Sequence, residues 1–125
     1  MQKIKHLPDA ELVVMQAVWD APQTPVPSTW ITAQLKKQWK PTSVLTFLSR
    51  LCEKDFLRCE KAGKVNVYTP LIDENCYRSQ ESISFLQRFY RGSVRNLVAA
   101  LTGTGDLNKE DLEELRDFLD KQGRE

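Results

Sequence analysis

The chain has 125 residues, a net charge of +1 and an apolar share of 41%, which suits one domain or a small domain with an appendage. No apolar run approaches the length of a membrane span, and Met1–His6 lacks the apolar core of a signal peptide, so no membrane insertion is expected and the cytoplasm is the expected compartment. Three cysteines, Cys52, Cys59 and Cys76, form no CxxC and make an odd count, which argues against a disulfide framework; with one histidine, His6, no metal site or cofactor is expected.

Charge is unevenly spread. Residues 1–73 carry ten Lys/Arg against seven Asp/Glu, and residues 74–125 eight against ten. A basic front and an acidic back fit a nucleic-acid-contacting domain, 1–73, followed by something else, 74–125.

Pro8-Asp9-Ala10-Glu11 opens a first helix, with acidic residues where the helix dipole favours them. Leu12, Met15 and Trp19 supply its apolar stripe, widened by Val14 and Val18. The proline-rich stretch Ala21–Pro27 reads as a loop within the domain. Ser28 is a good N-cap for a second helix running to about Trp39, with Ile31 and Leu35 inward. Lys36, Lys37 and Lys40 cluster near its end. Lys40-Pro41 is then a tight turn into a third helix, on which Val44, Phe47, Leu48 and Leu51 recur at i, i+3, i+4 and i+7. Ser43, Thr46 and Arg50 form a second stripe roughly 120° round the cylinder. Such a helix is pinned by one flank and offers hydroxyls and a guanidinium on another.

The period then switches to two. Leu57 and Cys59 alternate with Arg58 and Glu60; Lys61-Ala62-Gly63-Lys64 supplies a turn; Val65, Val67 and Thr69 alternate with Asn66 and Tyr68. Helix, loop, helix, turn, helix and a basic-tipped hairpin is the order of a winged helix-turn-helix. The order is far more specific than any one element, and it points to double-stranded DNA. A winged helix used only as a protein-interaction module is the alternative. Exposed aromatics would then be expected on the third helix, in place of Ser43, Thr46 and Arg50. Trp19, Trp30 and Trp39 read as core or elbow residues, and Cys52 and Cys59 as buried, inert thiols. No Gly-rich phosphate loop follows a strand and no histidine lies near a nucleophile, so an enzyme is not expected.

Three more helices follow. The first runs from Glu74 to about Arg91, with Ile83, Leu86 and Tyr90 in line and Phe85 and Phe89 beside them. Gly92 stops it and Ser93 caps the next, which carries Val94, Leu97, Val98 and Leu101. Asn108 caps the last, faced by Leu112, Leu115, Phe118 and Leu119. A thin unit of this kind cannot bury enough surface alone, and a second copy of the chain is the economical cover. The expected fold is therefore mostly α with a small β-hairpin wing: an N-terminal winged helix-turn-helix and a C-terminal helical dimerisation region.

The assembled residues resemble a family of bacterial regulators, the penicillinase and methicillin-resistance repressors, with copper-responsive repressors as cousins. Ala10-Glu11-Leu12, Val14-Met15 and Val18-Trp19 resemble the family's first helix. Trp39-Lys40-Pro41-Thr42-Ser43-Val44, Thr46, Leu48, Arg50-Leu51 and Lys54 resemble its recognition region. Gly63-Lys64, Tyr68-Thr69-Pro70-Leu71 and Phe85-Leu86, Gly92-Ser93, Leu97-Val98 and Leu107–Leu119 resemble its wing and dimerisation region. The resemblance implies a homodimeric repressor on a palindromic operator, released by a signal that in the antibiotic-response members passes through a membrane sensor and cleavage of the C-terminal region. The scissile Asn-Phe of those members falls on Ala100-Leu101 here, and a basic residue frequent in the family is replaced by Thr42. No cysteine follows Cys76, so the copper-binding tail is absent. The resemblance and the residues together nominate Thr42, Ser43, Thr46 and Arg50 on the third helix, and Lys61 and Lys64 on the wing, as DNA contacts.

Overall fold

The computed structural model describes residues 4–123; Met1–Lys3, part of the stretch read above as lacking a leader, lie outside the described residues. The elements are α1 (Asp9–Asp20), β1 (Val26–Pro27), α2 (Ser28–Gln34), α3 (Pro41–Glu53), β2 (Leu57–Ala62), β3 (Val65–Pro70), α4 (Glu74–Tyr90), α5 (Val94–Gly103) and α6 (Lys109–Gln122). Helices dominate and one antiparallel hairpin, β2–β3, follows α3, as expected. The chain separates into two compact units between Glu81 and Ser82, inside α4.

The first unit is built on the stripe of α3. Val44, Leu48 and Leu51 are fully buried against Val14, Met15 and Val18 of α1, Ile31 of α2, and Phe56 and Leu57 at the start of the hairpin. On α1 the buried line is Glu11, Val14, Met15 and Val18, whereas Leu12 and Trp19 lie at the margin of the core. A carboxylate thus occupies a core position, for which Lys54 is the physical reason: its Nζ donates to Glu11 Oε1 at 2.5 Å. Trp19 is turned aside because its indole N–H donates to the Ile72 carbonyl at 2.9 Å.

Two further expectations need correction. The second helix ends at Gln34 and not near Trp39: Leu35 leaves helical geometry, and the N–H groups of Gln38 and Trp39 both turn back onto its carbonyl. Pro41 demands an extended Lys40, and the short turn Leu35–Trp39 delivers it. The proline-rich loop is not wholly loop either. Its end, β1, pairs with the hairpin through Val26↔Tyr68 and Pro27↔Val67, giving a sheet of order β1-β3-β2. The alternation on β3 left its inner face open, and that face is the one carrying Tyr68. Register places Tyr68 opposite Cys59 and Val26, and Tyr68 is buried with Leu57. A tyrosine ring fills the space under the sheet better than the valines on the other face, which remain half-covered.

The N-terminal segment is tied to the start of α4. Tyr77 OH accepts the Leu7 N–H at 2.9 Å and donates to Glu81, and Gln80 exchanges two hydrogen bonds with the Ile4 backbone. His6 is exposed, and its Nδ1 pairs with Glu81.

In the second unit the caps fall where the sequence puts them. Ser93 Oγ accepts the Asn96 N–H at 3.1 Å. Asn108 and Asp111 exchange side-chain and backbone bonds in a capping box. Gly92, at φ +86°, ends α4, its N–H reaching back to the Leu86 carbonyl. No residue of α5 or α6 is buried in the single chain.

Candidate nucleic-acid interface

Pro41 occupies the first turn of α3, and no side chain caps that end. Pro41 has no N–H, and the Ser43 and Val44 N–H groups return to the Lys40 carbonyl at 3.0 and 3.2 Å, so the exposed Thr42 is the residue that stands open at the positive end of the helix dipole. The helix cannot roll. Its core stripe fixes one side, Trp39 meets Phe47 edge to face at 5.3 Å, and the Lys54–Glu11 pair holds the far end.

Rigidity on one side presents the other side in a fixed orientation. Thr46 and Arg50 are exposed there, and Ser43 is half-buried. The Thr46 hydroxyl donates to the Thr42 carbonyl at 3.0 Å, so its proton is committed and its lone pairs remain as acceptors. The Arg50 guanidinium lies 6.0 Å from the Phe47 ring centroid, and among the described residues it makes no ion pair with Glu53 or Asp55. Its charge is left for an external partner. The structure adds two residues that sequence reasoning missed: Leu45 and Ser49 are exposed, and with Thr42 and Thr46 they complete an i, i+3, i+4, i+7 line about 140° from the buried stripe. Counting the helix wheel from the core stripe outward would have found them.

The wing is a two-residue hairpin. Ala62 pairs with Val65, so the tip is Gly63-Lys64, with Gly63 at φ +67° in the first loop position. Lys64 is exposed at the tip. Lys61 is exposed but sits in the ladder, opposite Asn66, and not at the tip. Arg58 pairs with Glu60 at 2.7 Å and is spent within the strand. The hairpin base is fixed by the Leu71 N–H donating to the Phe56 carbonyl at 2.8 Å. Burial, with the neighbouring Cys59 adding to it, pushes the Tyr68 hydroxyl up to about 12, so Tyr68 is neutral under the sheet.

Cys52 and Cys59 depart from expectation. Cys59 and Cys76 are exposed and only Cys52 is half-buried. Strand alternation does turn Cys59 inward, but it lies beyond the edge of the core that Leu57 reaches. Burial, then Cys59 and Glu53, pushes the Cys52 thiol above its ordinary value, which keeps it protonated and poorly reactive.

On α4, Ile83 and Phe89 are 62% and 63% exposed, and Phe85 is exposed with its ring 4.9 Å from that of Phe89. Leu86 and Tyr90 are half-buried. On α5, Leu97 is half-buried and Leu101 exposed; on α6, Leu112 and Leu115 are half-buried and Leu119 exposed. Val94 and Phe118 add to the uncovered apolar surface.

Comparison with known proteins agrees with this architecture. A model of the penicillinase repressor family matches residues 7–121. The penicillinase repressor of Bacillus licheniformis is 37% identical over 97% of this chain and 94% of its own length. The methicillin resistance regulatory protein MecI of Staphylococcus aureus is 28% identical over 96% and 98%. Among solved structures, the DNA-binding domain of the repressor BlaI is similar with a TM-score of 0.51 at 39% identity, covering 59% of this chain and 90% of that one. The monomeric Bacillus licheniformis BlaI in complex with the blaP half-operator scores 0.50 at 39% identity, covering 60% and 92%. The chain belongs to the penicillinase repressor family.

Proposed function

We propose that the chain is a transcriptional repressor that binds a palindromic operator as a homodimer in the cytoplasm. One observation carries this reading. The outward flank of α3 holds an unpaired guanidinium and a row of hydroxyls on a helix fixed from behind, in a fold similar to that of a repressor solved with its half-operator.

In this reading α3 lies in the major groove. Thr42 and the open end of α3 meet a phosphate. Arg50 pairs with guanine O6/N7 or with a phosphate, and a guanine contact is worth about 1–3 kcal/mol of discrimination. Thr46, with its proton already given to the Thr42 carbonyl, accepts from the amino group of adenine or cytosine. Ser43 adds a hydroxyl at the helix flank, and Lys61 and Lys64 neutralise the backbone beside the wing.

Residues 74–125 form the dimerisation region. Ile83, Phe85 and Phe89 of α4 and Leu101 and Leu119 beyond it are exposed in the single chain, and a second copy covers them. Release acts on this region. The Ala100-Leu101 position lies within α5, where the Leu101 carbonyl accepts from the N–H groups of Asp106 and Leu107. A protease, or a membrane sensor acting through one, needs this turn opened before it can cut.

Fluorescence anisotropy on the chain's own upstream DNA, over a range of salt, tests the reading beside sedimentation. The expected result is a dimer that prefers a dyad-symmetric duplex and weakens steeply with salt. A monomer, or equal affinity for every duplex, would overturn it.

A further inference from the structure

The α3 face contains one residue that hydrogen bonding and phosphate contact leave unexplained. Leu45 is 41% exposed in the middle of the line Thr42, Leu45, Thr46, Ser49, in which no member is charged. It does not belong to a docking patch. The other large apolar side chain exposed among the described residues of the first unit is Leu71, beyond β3, and a patch that binds protein is contiguous. A lone exposed leucine would mean little elsewhere on the surface. Here it stands on the flank that the reading above places in the major groove. The groove wall offers donors and acceptors at every base pair but one apolar group, the C5 methyl of thymine. Leucine can neither donate nor accept, so the only favourable neighbour available to it there is that methyl.

We propose that Leu45 is a specificity-determining residue of α3, selecting thymine at one position of each half-site by packing on its C5 methyl. The proposal rests on α3 being the helix that reads the groove. The thymine it selects contributes through area removed from water and not through a hydrogen bond. A cytosine at that position presents no methyl and an amino group with no acceptor on leucine. The preference is therefore for the methyl itself.

The test separates the methyl from the rest of the base. Duplexes bound by the full-length chain are selected from a random pool, and each thymine of the selected site is replaced in turn by deoxyuridine, which lacks only the methyl. The expected result is a loss of about fourfold at one position per half-site, the worth of one buried methyl, and near-neutrality at the others. Leu45→Ala binds the thymine site more weakly and is indifferent to uracil at that position. Neutral replacement at every position with the unaltered chain, or the same fourfold loss retained by Leu45→Ala, would overturn the proposal while leaving operator binding intact. A chain that selects no duplex from the pool would overturn both.

Discussion

Lys54, at the end of α3, reaches into α1 and donates to the buried carboxylate of Glu11 at 2.5 Å. The two residues are far apart in sequence, and their bond fixes the angle at which α3 leaves the core. Removing the lysine strands a carboxylate that water hardly reaches, which is costly. Lys54→Met is expected to destabilise the fold by about 3 kcal/mol. Glu11→Leu combined with Lys54→Met should recover most of that loss, because no charge is then left unpaired. Urea denaturation of the two variants checks this.

Arg50→Ala and Lys64→Ala should fail differently. A base-reading arginine, when lost, relaxes preference at one operator position by about 1–3 kcal/mol. A lysine at the wing tip, when lost, weakens all duplexes alike and lowers the slope of log affinity against log salt by about one. Binding isotherms on operator and random DNA at several salt concentrations distinguish the two.

Phe89 is exposed on α4 beside Phe85, so Phe89→Glu costs the single chain little. It places a charge in the surface that a second copy would cover. The variant is expected to sediment as a monomer, to keep its affinity for a half-operator, and to lose about 100-fold on the full palindrome, since the two heads no longer bind as one.

Alkaline pH should loosen the first unit. Burial pushes the Tyr77 hydroxyl up to about 12, with the Glu81 carboxylate adding to it against the N–H of Leu7, and Tyr68 is raised likewise. Both are neutral in folded and unfolded chains below about pH 10, so their contribution is complete there. Between about 10 and 12 the unfolded tyrosines ionise and the folded ones do not, so stability falls as pH rises. Tyr77→Phe, which cannot ionise, should flatten part of that fall in denaturation midpoints taken from pH 9 upward, at a cost of the Leu7 hydrogen bond.

Where local chemistry decides, the elements could be read from residues alone. Pro41, Ser93, Gly92 and the Asn108–Asp111 box set their helix ends through contacts within a few residues. The alternation of β2 and the stripe of α3 had the same local origin. What escaped depended on partners distant in sequence. Two residues of β1 carry no period of their own and become a strand only because β3 lies beside them. Tyr68 is polar by one atom and apolar by the rest, so which face of β3 it turned inward depended on the space under the sheet. Glu11 is a core residue because Lys54 answers it. On α3, Thr46 and Arg50 were legible as an exposed flank, and the line through Leu45 and Ser49 was within reach of the same helix wheel, opposite the stripe of Val44, Leu48 and Leu51.

The order β1-β3-β2 leaves the sheet with two outer strands, and neither invites another. β1 is two residues long and ends in Pro27, which has no N–H to offer a neighbour. β2 presents Arg58, Glu60 and Lys61 along its length, a charged margin that resists the docking of a stray strand. At the concentrations reached during synthesis, when many unfinished or partly opened copies crowd together, this is protection against amyloid-like stacking. The hairpin can project into solvent as a bare finger without becoming a template for precipitation.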